Sequence, residues 1–154
     1  MVMAAAVSAA PVHTAARKGD VEALTKLLDA RPALASAKEP NGWTPLHWAA
    51  ARNQEAAARL LLDRKADPNA ADKKGSTPLH TAAIFGSMNV ARALIHAEAA
   101  LNTRAANTWT PLHYAIRSGH TDLVTFLREN GAKMDIFAAA GLGNVQAVKV
   151  LLQM

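Results

Sequence analysis

A chain of 154 residues with 51% apolar and 19% charged residues is one ordinary folded domain, which excludes a disordered composition. The formal charge of +5 comes from scattered cations; it would help association with an acidic partner or with nucleic acid but identifies neither. Without cysteine there is no disulfide framework, thiolate nucleophile or thiolate metal site, and no apolar run approaches the ~18 residues of a membrane span. Alanine supplies much of the apolar fraction and aromatics only 5%, a mixture that suits close-packed helices better than a sheet.

The chain opens on MVMAAAVSAA, residues 1–10, read as a frayed tail. The sharper alternative is the back half of a secretory signal with an Ala-x-Ala-like end, although no lysine or arginine precedes the apolar stretch. A cytoplasmic address is favoured, and an exported or periplasmic one if this segment is a signal remnant.

Residues 11–38 hold a first pair of short helices, with Val21, Leu24, Leu27 and Leu28 on the apolar side of the second. Residues 39–71 and 72–104 repeat one plan. Thr44 is a good N-cap, and Pro45 fits the first helical position, where no N–H is needed. Leu46, Ala49 and Ala50 recur at helical spacing, and the helix stops near Asn53 or, one unit later, Gly86, residues that tolerate a left-handed backbone. A second helix follows, with Leu60, Leu61 and Leu62 or 93–95 as its apolar side. Gly42 and Gly75 supply the positive φ of the turn before each unit's first helix. Residues 105–133 follow the same plan, stopping at Gly119, with 124–127 apolar. Residues 134–154 are an abbreviated fifth unit, in which Phe137 takes the place of the histidine, 24 residues after His113.

The tetrapeptide Thr-Pro-Leu-His thus occurs at 44–47, 77–80 and 110–113, and His47, His80 and His113 are spaced by 33 residues. Helix pairs this short cannot bury their apolar faces alone, so identical units must stack, and alanine lets the helix axes come close. The units resemble ankyrin repeats, whose period is 33 and whose signature T-P-L-H-x-A occurs here three times without mismatch. The expected fold is all-α: a solenoid of stacked helix-turn-helix units joined by β-turn fingers. Two departures stand out. Lys65 and Glu98 replace the glycine that Gly131 keeps after the second helix, which predicts strain of ~1 kcal/mol at each. Thr108 stands where Gly75 stands one unit earlier, and a β-branched residue at positive φ is costly, so the turn 105–108 is expected to be distorted or of another type.

No chemistry announces itself. Equivalent histidines in stacked units lie ~8–10 Å apart, too far to share a metal with ligands at ~2.1 Å. The resemblance gives His47, His80 and His113 a structural role, bonding backbone between turns, and His13 the same; His96 and His120 read as surface residues. Gly141-Leu142-Gly143 lacks a third glycine and a preceding strand, so it is no phosphate loop. Glu22, Asp29 and Asp122 fall on polar helix faces. The sequence implies no enzyme, cofactor or metal.

The resemblance implies a concave face that grips proteins, formed by the turn tips and the exposed side of the first helices. By position it carries Arg17, Lys18, Asn41, Trp43, Arg52, Lys73, Lys74, Ile84, Phe85, Asn107, Trp109 and Arg117, with Ala51, Ser76 and Ser118 beside them and Trp48, Thr81 and Tyr114 at the base. Trp43 and Trp109 read equally as packing on a neighbouring turn and as binding. Ile84 and Phe85 have no obvious intramolecular use. The leading function is a non-enzymatic protein-binding module, its basic residues favouring an acidic partner. One rival is a regulatory or targeting segment of a larger enzyme or channel. Another is nucleic-acid binding through the cations, disfavoured because aromatic and basic residues do not interleave as in single-strand binders. The final helix, NVQAVKVLLQM, keeps Val150 and Met154 off its inward face, which predicts a continuing chain or self-association there.

Overall fold

The computed structural model describes residues 10–143. Five inner helices are short: α1 (Ala10–Lys18), α3 (Pro45–Ala51), α5 (Pro78–Phe85), α7 (Pro111–Arg117) and α9 (Ile136–Gly141). Each of the first four is followed by an outer helix: α2 (Val21–Ala30), α4 (Glu55–Asp63), α6 (Met88–His96) and α8 (Thr121–Glu129). The inner helices stack in sequence, α1 on α3 on α5 on α7 on α9, while α2 packs on α4 and α4 on α6. No strand is present among the described residues. Val150 and Met154 lie outside them, as do residues 1–9.

The core follows from the repeated pattern. Leu46, Leu79 and Leu112 are fully buried one unit apart, and Ala49, Ala82 and Ala115 fill the narrow gap between inner helices. Leu24, Leu28, Leu61, Leu94, Leu123 and Leu127 bury the inward sides of the outer helices. Each such leucine is worth roughly 2–3 kcal/mol, and the helices that carry them pack within their unit and on the neighbouring ones, which is why stacking is obligatory. Leu34 and Ala35 add to this core from a 3-10 turn, Pro32–Ser36, that the helical periodicity does not reveal.

Thr44, Thr77 and Thr110 cap their helices as expected, and proline takes the first helical position in all three. Asn53, Gly86 and Gly119 are left-handed, with φ of 52°, 68° and 75°. Lys65 and Glu98 sit at 65° and 60° where Gly131 sits at 100°, so the strain expected of them is present.

The turn 105–108 corrects the expectation of distortion. Thr108 has φ 67°, against 72° for Gly75. Both turns close in the same way: Gly75 N donates to Asp72 O at 3.0 Å and Thr108 N to Ala105 O at 2.8 Å. The surroundings hold Thr108 in place. Arg104 donates to its carbonyl at 2.7 Å, and Ala106 N bonds across to Lys74 O at 2.8 Å, so neighbouring fingers outweigh the side-chain penalty.

Phe137 also departs from expectation. The cap of α9 is Asp135, two residues before Phe137, and the phenyl ring is 73% exposed. Asp135 takes the capping place of Thr44, so Ala138 rather than Phe137 occupies the position of the histidine, and a methyl group has no donor to tie units together.

Candidate protein-binding face

Each histidine of Thr-Pro-Leu-His uses both ring nitrogens. In the second unit the Thr44 N–H donates to His47 Nδ1 at 3.1 Å and the Thr44 hydroxyl lies 2.9 Å from the same atom. The opposite nitrogen, Nε2–H, donates to Ser76 O of the next finger at 3.0 Å. His80 repeats this with Thr77 and with Trp109 O at 3.1 Å. His13 Nε2 reaches Ala37 O at 3.0 Å. His113 keeps the threonine bonds but finds Asp135 Oδ1, at 2.8 Å, in place of a carbonyl, because the fifth unit has no finger.

A ring that accepts at Nδ1 and donates at Nε2 must be neutral. Burial pushes His47 and His80 below the ordinary value of 6.5, against the opposing pull of the carbonyls they face. Burial alone would raise the Asp135 carboxyl; the Ala138 amide, then His113 and Arg104, overcome it and hold the group below 3.8. Among the described residues no group of three or more His, Asp or Glu could hold a metal ion.

These bonds set the fingers in register. Lys73 N donates to Asn41 O at 3.0 Å and Ala106 N to Lys74 O at 2.8 Å, joining edge to edge the fingers of the second, third and fourth units, each of which takes its unit's number. The residues expected on the concave face fall on these fingers and on the exposed ends of the inner helices. Asn41, Lys73, Lys74 and Asn107 stand exposed at the tips; Arg17, Lys18, Arg52 and Arg117 are exposed at the helix ends. Ile84 and Phe85 are 36% and 54% exposed at the end of α5. Thr81, at the base, is buried and bonds Thr77 O.

The tryptophans pack within and between units, and each ring stays partly exposed. Trp43 stacks on His47 at 5.8 Å and meets Trp48 edge-on at 4.7 Å. Its indole N–H donates to Asp72 Oδ2 at 3.2 Å, and that of Trp48 to Glu39 Oε2 at 2.9 Å. Trp109 stacks on His113 at 6.1 Å and meets Tyr114 at 5.3 Å, but its indole N–H has no partner among the described residues. Both rings remain half-buried, and arginines lie over the clusters, Arg17 on Trp48 at 5.5 Å and Arg117 on Trp109 at 5.2 Å. Ser76 and Thr81 make the floor between the clusters small.

On the outer helices Lys26 pairs with Glu22 and Arg59 with Glu55, Arg64 at the end of α4 pairs with Asp29, and Arg92 lies over the Phe126 ring at 5.1 Å. Among the described ion pairs none involves Arg17, Lys18, Arg52, Lys73, Lys74 or Arg117. The nearby carboxylates are already engaged, Glu39 by Trp48, and Asp72 by Trp43 and by the amides of Lys74 and Ser76.

Several working residues were not legible as such. His120 is not an idle surface group: its Nε2–H donates to Ile84 O at 3.1 Å, across to the preceding unit. Asn69 and Asn102, 33 apart, accept from Ala100 N and Lys133 N at 2.7 Å and tie the outer loops; their shared period was the available signal. No helix among the described residues is long and apolar enough to cross a membrane. Residues 5–72 and 64–138 each match the family model described as ankyrin repeats (3 copies). With the stacked helix pairs and bonded fingers, that places the chain in the ankyrin repeat family, whose domains are generally protein–protein interaction modules and typically non-catalytic.

Proposed function

We propose that residues 11–154 act as one ankyrin repeat domain that binds a partner protein on its concave face, and that the partner's contacting surface is acidic. The observation that supports this most is the clustering of six cations on the fingers and inner helix ends with no ion pair among the described residues, while on the outer side Lys26, Arg59 and Arg64 are paired and Arg92 and Arg128 are not. Exposed cations beside half-buried aromatic rings have the composition of an interface centre, with Ile84 and Phe85 as apolar anchors.

Reversing charge at the third finger tests the face directly. Lys73→Glu with Lys74→Glu should weaken partner binding by about tenfold or more at low salt, an effect that shrinks as salt rises. Lys26→Glu, on the outer helices, should leave affinity within about twofold. Equal losses from both variants would remove the concave face from the account. Binding to arbitrary duplex or single-stranded nucleic acid with steep salt dependence would favour a polyanion over a protein.

A further inference from the structure

Three polar groups of the fourth unit have no hydrogen-bonding or ionic partner among the described residues, and two of them, on Trp109 and Arg117, line one cleft. The first is the Trp109 indole N–H, unpartnered among the described residues, whereas the equivalent N–H of Trp43 is taken by Asp72. The second is the Asn107 carbonyl. The matching carbonyls of Asn41 and Lys74 accept from Lys73 N and Ala106 N of the next finger, and Asn107 O has no such donor. The third is the Arg117 guanidinium, which stacks on Trp109 but pairs with no carboxylate among the described residues. The cleft beside them has a volume of 420 Å³ and is walled by Ile116, Phe137, Ala138 and Gly141.

The cause is in the sequence. Only 24 residues separate His113 from Phe137, so the fifth unit has no finger to lay against the fourth. Fingers and indoles match across units: Trp43 meets Asp72 in the next finger, while Ser76, which has no indole, is followed by Ala105, which has no carboxylate. Trp109 calls for an aspartate that none of the described residues supplies. The nearby carboxylate, Asp135, is already held by His113, Arg104 and the start of α9.

We propose that the partner supplies the missing finger: a segment carrying an aspartate docks on the fourth finger's edge, its carboxylate accepting from Trp109 and facing Arg117. The backbone N–H of the following residue donates to Asn107 O. These are the two bonds that Asp72 and Lys73 make to Trp43 and Asn41. The proposal rests on the concave-face reading and adds to it the chemistry of one contact.

The test uses a defined probe: the acetylated, amidated peptide Ala-Ala-Asp-Glu-Glu-Gly-Ser-Thr, the third finger's sequence with its lysines exchanged for glutamate to suit Arg117. It is titrated to millimolar concentration into the 15N-labelled chain. The Trp109 indole resonance should shift saturably and that of Trp43 should not. Asn in place of the peptide's Asp should weaken the effect by about threefold or more, since a charge-assisted bond is lost. Trp109→Phe, which keeps the ring, should abolish the dependence on Asp. An unmoved Trp109 indole, or equal binding of the Asp and Asn peptides, would overturn the proposal. So would a Trp109 shift that follows protein concentration without peptide, which would make a second copy the occupant. Shifts confined to Ile84, Phe85 and the third finger would overturn it while leaving the concave-face reading standing. The charge-reversal experiment decides that reading separately.

Discussion

Thr108 sets the cost of one residue against the pull of its neighbours. Its φ of 67° is unfavourable for a β-branched side chain that is itself exposed. Thr108→Gly should therefore stabilise the fold by about 0.5–1 kcal/mol, the left-handed penalty less the added freedom of the unfolded chain. Urea denaturation measures it, and a destabilised variant would show that the threonine side chain contributes a contact of its own. The histidines make a second prediction at this scale. His47 and His80 titrate below 6.5 when folded, so the unfolded chain binds more protons near and below that pH. Their neutral state is compatible with full stability above 6.5; stability falls as pH drops through that value and levels off below the folded pKa. Replacing both by glutamine should lower stability at pH 8 and flatten its slope between pH 6.5 and 5. An unchanged slope would contradict the neutral-ring assignment. The roles of Thr, Pro, Leu and His within the motif were legible because they are local. Those of Asp72 and His120 were not, because each depends on a group 29 or 36 residues away in another unit.

Adjacent inner helices are fitted by volume where their ends meet. Gly86 lies against His120, and a Cβ there would come within 2.7 Å of the ring; Gly19 stands in the same relation to Gln54. Where the left-handed position holds Asn53, its Oδ1 instead accepts from Val90 N, and the next unit offers a small, buried Ser87. Gly86→Ala should cost about 2 kcal/mol from strained backbone and clash together, and His120→Ala in the same chain should recover the clash part alone. Additive effects in that double-mutant cycle would mean that the ring simply moves aside. Helix pairs, stops and finger turns could be read from the 33-residue period, whereas the 3-10 turn Pro32–Ser36 could not, since it follows no such period. On α5, Ile84→Ala and Phe85→Ala should weaken partner binding and change stability by under about 1 kcal/mol. A loss of about 2 kcal/mol or more in either would make that residue part of the core.

At the scale of the whole molecule, the repeat explains how so few large residues hold an extended structure. Each of the first four units buries leucines in the shared core, the fingers bond edge to edge, and the histidines lock fingers to helices. The same stacking aligns six cations with no ion pair among the described residues on the finger and inner-helix face. Sequence position was enough to assign Lys73, Lys74 and Phe85 to that face, but not to show which charges were already spent. The central claim is that the finger and inner-helix face meets the partner. Photo-cross-linking side chains placed one at a time at Lys74 and Phe85, and at Arg59 and Lys26 on the outer helices, test it most directly in the presence of the partner. The account predicts adducts from the first two positions and none from the others; adducts from Arg59 or Lys26 with none from Lys74 and Phe85 would contradict it.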